Sequence, residues 1–236
     1  MCIMPAIGSV SNFIREINNH NLDPDKLRFY RGQPCGSWDL IPSLLRPQYE
    51  CIKIKEKTLL KELKIRYPDL FLDSFNLFED LVLAQHYGIP TRLLDITSNP
   101  LVALYFACIN KEKKYGNGAV YIIDISKTHI KYFDESSMLI DLDKSIMGET
   151  SEYSITVVKA KLNNPRIISQ SGAFLLFNAL SDNNLSNSEI KIKLDIHNGS
   201  TKRLIKELRE LGISNETLFP ELSMFAEELR KGNINF

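Results

Sequence analysis

One stretch of the chain, residues 85–107, constrains the fold more than any other. It reads QHYGIPTRLLDITSNPLVALYFA, in which polar side chains alternate with apolar runs that are typical of buried elements. A chain that needed only to fold would not require so many polar groups inside its core. The stretch therefore predicts a site that recognises or transforms a ligand, or else an unusually polar core held together by internal pairs. These polar residues are His86, Thr91, Arg92, Asp95, Thr97, Ser98 and Asn99.

Glycine and proline divide this stretch into elements. A helix capped by Asp73 or Ser74 is expected to run to about Tyr87, where Gly88 ends it. A brief strand follows over residues 91–96. Asn99 is then placed to cap a new helix that has Pro100 at its first position and a very apolar body over residues 101–109.

Periodicity predicts a single α+β domain with flanking helices and one central sheet, which is mixed, mostly antiparallel or split. Further helices are expected over residues 9–19, with Ser9 or Ser11 as cap, and over 50–66, about 200–211 and about 219–231. Strands are expected over residues 27–32, 119–124, 155–159 and 190–196. Residues 165–177 are interpreted as two strands broken at Gly172, and residues 181–188 as a polar loop.

Composition excludes several classes of protein. The 236 residues carry 29 basic and 29 acidic side chains, so no bulk positive field favours non-specific nucleic-acid binding. The four cysteines show no C-x-x-C spacing, which indicates a reducing compartment and no metal site. No signal peptide and no apolar run of membrane-spanning length is visible, so a cytoplasmic protein without membrane partners is expected.

Within this polar stretch, each candidate residue has a binding interpretation and a structural one. Thr97, Ser98 and Asn99 precede a helix whose free N–H groups favour an anion such as phosphate, but Asn99 is equally explained as a cap. Arg92 and Asp95 are three residues apart among leucines, and internal pairing is favoured over direct catalysis.

Three further positions carry candidate residues. Arg31 lies between Tyr30 and Gly32 at a predicted strand end, where its guanidinium would hold phosphate or carboxylate, or pair with an acid of the fold. Gln170 interrupts an apolar segment, either at a ligand or at a bulge. His86 near a helix C-terminus has no second metal-type ligand at suitable spacing.

The chain resembles the FRG-domain family of bacteria and phages, which is named for a Phe-Arg-Gly tripeptide. The tripeptide here is Tyr30-Arg31-Gly32, and the segments 84–107, 165–174 and 211–222 are similar to the family's other hallmarks. The resemblance implies one FRG domain over residues 1–236, with a core of about 8–230.

A second resemblance is to ADP-ribosyltransferases of the arginine–serine–glutamate type, and it implies their fold and NAD as the donor. Arg31 would then hold the pyrophosphate or the nicotinamide ribose, with Thr97 or Ser98 on the nicotinamide side. The glutamate position reads Gln170, so that another acid would serve, with Asp95, Glu149 and Glu152 as candidates. The implied catalytic set is Arg31, Thr97 and Gln170, and the implied NAD-binding set is Tyr30, Arg31, Gly32, His86, Arg92, Asp95, Thr97, Ser98 and Asn99.

These resemblances imply that the protein is an ADP-ribosyltransferase-like toxin or phage-defence effector that modifies a nucleic acid or protein. The alternative is a non-enzymatic FRG module that senses a nucleotide or phage component. A hydrolase acting through Asp95 with His86 is a more distant interpretation.

Overall fold

The computed structural model describes residues 7–53, 55–72, 75–109, 116–146, 155–177, 190–221 and 230. The helices of these residues are α1 (Val10–Asn18), α2 (Glu50–Lys53), α3 (Glu56–Arg66), α4 (Leu77–His86), α5 (Pro100–Cys108), α6 (Ser136–Ile146), α7 (Pro165–Ser169), α8 (Thr201–Glu210) and α9 (Asn215–Leu218). The strands are β1 (Lys26–Gln33), β2 (Leu93–Thr97), β3 (Gly118–Ser126), β4 (Ile130–Tyr132), β5 (Ile155–Lys159), β6 (Gly172–Phe177) and β7 (Ile190–Ile196).

These strands form one mixed sheet in the order β4-β5-β6-β2-β1-β3-β7, which confirms the α+β prediction. All neighbours are antiparallel except β4 and β5. β1 pairs with β3 along its whole length, whereas β1 and β2 pair at the single position Tyr30–Thr97. The sheet therefore consists of two well-paired halves that are joined at one point.

Among the described residues, the hydrophobic core has three parts. On one face of the sheet, both halves contribute to a shared cluster that includes Phe29, Ile123, Leu94 and Leu175. On the other face the helices form two separate clusters. Helices α1, α5 and α8 cover β1, β3 and β7, and helices α3, α4, α6 and α7 cover β2, β5 and β6. An open groove lies between these two helical layers, where the halves of the sheet meet.

The predicted start of α5 is confirmed. The Oδ1 atom of Asn99 accepts from the Leu101 N–H at 3.0 Å, and Pro100 is the first helical residue. The helix is buried on most sides, as its apolar sequence predicts. Across the described ranges, no helix combines the length and the apolar character that crossing a membrane would require.

The prediction of two strands over residues 165–177 is wrong for its first half. Pro165–Ser169 form α7, and Asn164 caps it by accepting from the Arg166 N–H at 2.9 Å. The Asn-Pro pair that begins α5 therefore begins α7 as well. The apolar residues Ile167 and Ile168 gave this segment the composition of a strand, but the helix directs Ile167 into the core and leaves Ile168 exposed.

Other predicted boundaries also change. Residues 50–66 form two helices, α2 and α3, rather than one. Asn76 caps α4 in a capping box with Glu79, while the proposed caps, Asp73 and Ser74, lie outside the described residues. Of the helix predicted over 219–231, Phe219 and Pro220 are not helical, and nearly all of the rest lies outside the described residues. The polar loop predicted over 181–188 also lies outside them.

Gly32 permits a close approach between β1 and α5. A Cβ atom at Gly32 would lie 1.8 Å from the carbonyl oxygen of Ala103 and 2.8 Å from the backbone nitrogen of Ala107. Both contacts are to backbone, which cannot rotate away as a side chain can. The position that a Cβ atom would take at this glycine is therefore occupied by the backbone of helix α5.

We predict that Gly32→Ala lowers the free energy of unfolding by about 3 kcal/mol or more, because β1 and α5 must separate to admit the methyl group. Urea unfolding monitored by circular dichroism measures the change. Gly172→Ala is the matched control, since its Cβ would meet nothing closer than 3.4 Å, and it should change stability by less than about 1 kcal/mol. Equal midpoints for the parent and Gly32→Ala would contradict the packing argument.

Candidate functional site

The groove between the two halves of the sheet is the candidate site. It encloses about 1000 Å³ and is bordered by β1, β2, β6 and helices α4, α5, α7, α8 and α9. Its walls combine apolar and aromatic side chains with a small number of charged ones, as in pockets that bind organic ligands. The aromatic residues on the wall are Tyr30, Tyr105, Phe106, Phe174 and Phe219.

Asp95 is the one carboxylate among the described residues that line this groove. Its side chain is 64% exposed although it lies on the central strand β2. The Nε2 atom of Gln85 donates to Asp95 Oδ1 at 2.8 Å, and Gln85 Oε1 accepts from the hydroxyl of Thr91. The Thr91 backbone N–H in turn donates to Ser43 Oγ at 3.2 Å. A chain of hydrogen bonds thus fixes the orientation of the Asp95 carboxylate.

Arg31 crosses the gap between β1 and β2. Its Nη1 atom donates to the Asp95 carbonyl oxygen at 2.5 Å and lies 3.9 Å from Asp95 Oδ2, while the side chain is 18% exposed. Its Nε atom is buried and has no hydrogen-bond partner among the described residues. Burial lowers the pKa of Arg31, Asp95 opposes that shift and nearby Arg46 adds to it, yet a guanidinium remains charged at neutral pH. Arg31 therefore links the halves of the sheet where their ladder is interrupted.

The polar residues before α5 are used mainly by the fold. Thr97 Oγ1 donates to the Gln170 carbonyl at 2.7 Å and accepts from the Asn99 N–H at 3.0 Å. The Ser98 N–H donates to the Ser171 carbonyl at 3.1 Å, and Asn99 caps the helix. Because these donors and acceptors already have partners, the structural interpretation of Thr97 and Asn99 is the stronger one.

Gln170 and its neighbours form a turn that the Thr97–Ser98 contacts hold in place. Gln170 lines the groove, and its Nε2 atom donates to the Leu218 carbonyl at 3.1 Å. Ser171 adopts φ of 47°, a left-handed conformation that is uncommon for a residue other than glycine. The turn lets the chain leave α7 and enter β6 immediately.

His86 lies at the junction of two cavities. Its exposed ring lies edge-on to Tyr87 at the C-terminal end of α4. It borders both the groove and a smaller cavity of about 400 Å³ between α4 and the segment around α7. Within the described ranges, no group of three or more histidine, cysteine or acidic side chains is placed to hold a metal ion.

Tyr30 and Arg92 differ in their access to the groove. Tyr30 lines it from β1, and burial raises the pKa of its phenol. Arg92 lies outside it: the Arg92 Nε atom donates to Glu56 Oε1 at 2.9 Å, a second contact joins the same two side chains, and Nη1 donates to the Phe177 carbonyl at 3.3 Å. The predicted internal pairing is therefore present, but with Glu56 rather than with Asp95.

The sequence-based site prediction did not include several residues of the groove, among them Gln85, Arg166, Arg209 and Phe219. Arg166 lies over the ring of Phe219, with the guanidinium carbon 4.7 Å from the ring centroid. Arg209 borders the same end of the groove from α8. The motif Asn164-Pro165-Arg166 repeats the Asn-Pro signal that marks the start of α5, and this repetition was the available clue to the position of Arg166.

The pairing of Arg92 with Glu56 leads to a stability prediction. The two side chains are 4% and 6% exposed, so removing one charge leaves the other buried and uncompensated. We expect Glu56→Gln to lower the free energy of unfolding by about 3–5 kcal/mol, and the double change Glu56→Leu with Arg92→Met to recover most of that loss.

Urea unfolding of the parent, of Glu56→Gln and of the double variant measures these differences in the free energy of unfolding. Arg66→Gln is the matched control, because Arg66 pairs with Glu62 at the surface and such pairs contribute about 0–1 kcal/mol. A double variant less stable than Glu56→Gln would contradict the account of this pair.

In a comparison with models of protein families, residues 26–116 match the model of the FRG domain. This range includes Tyr30-Arg31-Gly32 and the whole of the polar stretch 85–107. The groove also uses residues beyond it, because β6, α7 and α8 come later in the chain. Comparisons with curated proteins and with solved structures gave no match. This protein contains an FRG domain at residues 26–116.

Proposed function

We propose that the groove binds NAD and that the protein is ADP-ribosyltransferase-like, transferring ADP-ribose to a nucleic-acid or protein acceptor. The observation that carries the proposal is Asp95, an oriented carboxylate that faces a groove with aromatic and arginine side chains. The resemblance of Tyr30-Arg31-Gly32 and of the Thr97-Ser98 segment to ADP-ribosyltransferases supports the same conclusion.

The dimensions and lining of the groove support a dinucleotide. Ligand pockets commonly enclose about 300–1,000 Å³, and the groove has about 1000 Å³. The aromatic ring of Phe106 offers a surface to a planar base, and guanidinium groups offer forked donors to phosphate.

Asp95 would supply the negative charge that this reaction requires. The bond between the ribose C1′ and the nicotinamide nitrogen breaks, its electron pair leaves with neutral nicotinamide, and positive charge develops on the ribose. A fixed carboxylate stabilises that charge. The acceptor then forms a bond to C1′ and releases a proton to solvent. Gln170 cannot take this role, because its amide is neutral and already donates to Leu218.

A second candidate function is a module that binds a nucleotide without turnover. It is favoured by the internal bonds of Arg31, Thr97 and Gln170, the three residues that the ADP-ribosyltransferase resemblance makes catalytic. In that case Asp95 would select a ligand rather than stabilise a transition state. Nicotinamide release distinguishes the two functions.

The experiment titrates NAD into the purified protein by calorimetry and measures nicotinamide release in the presence of cell extract. We expect saturable NAD binding, and Asp95→Asn should reduce release by about 100-fold, because one oriented charge is removed from the reacting centre. Asp134→Asn, an exposed carboxylate outside the groove, is the matched control and should release nicotinamide as the parent does.

The outcomes separate the two candidates. NAD binding without release by the parent supports the binding module, and absence of both binding and release refutes the use of NAD. A toxin or phage-defence role is tested by expression in bacteria. Growth arrest by the parent, relieved by Asp95→Asn but not by Asp134→Asn, is the result that this role predicts.

A further inference from the structure

We propose that Arg166 and Arg209 hold the diphosphate of the ligand at the α7–α9 end of the groove. This inference rests on the proposed function and deepens it, because it orients the dinucleotide. The phosphates lie at α7–α9, and the reactive ribose lies at Asp95. The resemblance to ADP-ribosyltransferases assigned the pyrophosphate or the ribose to Arg31 instead.

Arg31 is poorly placed for this task. Its Nη1 atom donates to the Asp95 carbonyl, and its side chain is largely enclosed between β1 and β2. A diphosphate at Arg31 would also lie beside the Asp95 carboxylate, and like charges in close contact repel each other. The anionic part of the ligand is therefore better accommodated elsewhere in the groove.

Arg166 has the geometry of an anion-binding residue. Its guanidinium carbon lies over the ring of Phe219, and no carboxylate among the described residues forms an ion pair with it. A cation–π contact of this kind leaves the N–H donors of the guanidinium able to bind oxygen acceptors. An arginine held in this way presents a forked donor to phosphate oxygens.

Arg209 adds a second positive charge to the lining of the groove, from α8. Its Nη2 atom lies 3.6 Å from Glu216 Oε1 on α9, and α9 ends at Leu218, directly before Phe219. Because this ion pair is solvent-exposed, it contributes little free energy. Arg209 can thus exchange Glu216 for a phosphate group at small cost.

The charges along the groove fit this orientation. Its described lining carries three arginines, Arg31, Arg166 and Arg209, against the single carboxylate of Asp95. Asp95 and Arg31 are within 3.9 Å of each other. Arg209 has an exchangeable partner in Glu216, whereas Arg166 has no carboxylate partner among the described residues, so the positive charge available to an anion lies at these two arginines.

Calorimetry with the full chain tests the assignment, with ADP and inorganic diphosphate as probes. Arg166→Gln and Arg209→Gln should each weaken the binding of both probes about tenfold or more, as expected for a lost charged hydrogen bond. Arg15→Gln is the matched control, because Arg15 is exposed on α1 outside the groove, and it should bind as the parent does. Arg166→Lys keeps the charge but loses the fork, so an intermediate loss is expected.

Two results would overturn the assignment: parent-like affinity for ADP in both glutamine variants, or no binding of ADP and diphosphate by the parent. The readout is independent of turnover. A protein that binds ADP through these arginines but releases no nicotinamide would refute the transferase function and retain this site.

Discussion

The close contact between β1 and α5 at Gly32 is the constraint on which the rest of the structure depends. Strand β1 belongs to one half of the sheet, while α5 follows β2, which belongs to the other half, after two residues. Since β1 and β2 share one ladder pair, the seating of β1 against α5, together with Arg31, holds the halves in position. A groove can therefore form between the two halves of the sheet while these contacts keep the halves together.

This arrangement divides the polar stretch between the two faces of the sheet. Arg92 leaves the groove and neutralises Glu56 inside the fold. Asp95 points into the groove and is oriented by Gln85, which itself is fixed by Thr91. Thr97 and Asn99 turn the chain into α5. The many polar groups are thus explained by three different tasks, of which one, that of Asp95, leaves a charged group available to a ligand.

The sequence predicted those features that depend on neighbouring residues. Asn99 and Pro100 mark the start of α5 because capping is local, and the alternation over residues 190–196 marks β7. Features that depend on distant contacts were not predictable. Glu56 lies 36 positions from Arg92, and Arg166 joins the groove through a ring 53 residues later, at Phe219. Segment 165–169 has the composition of a strand, and its Asn-Pro start outweighs that composition.

The most direct test of the account is a map of backbone amide shifts during titration of the isotope-labelled protein with NAD. The account predicts saturable shifts at Gln85, Asp95, Arg166 and Arg209, which border the groove, and unchanged amides at Glu56 and Arg15, which lie outside it. Saturable shifts confined to residues outside the groove, or no shifts at millimolar NAD, would contradict the claim that this groove is the ligand site.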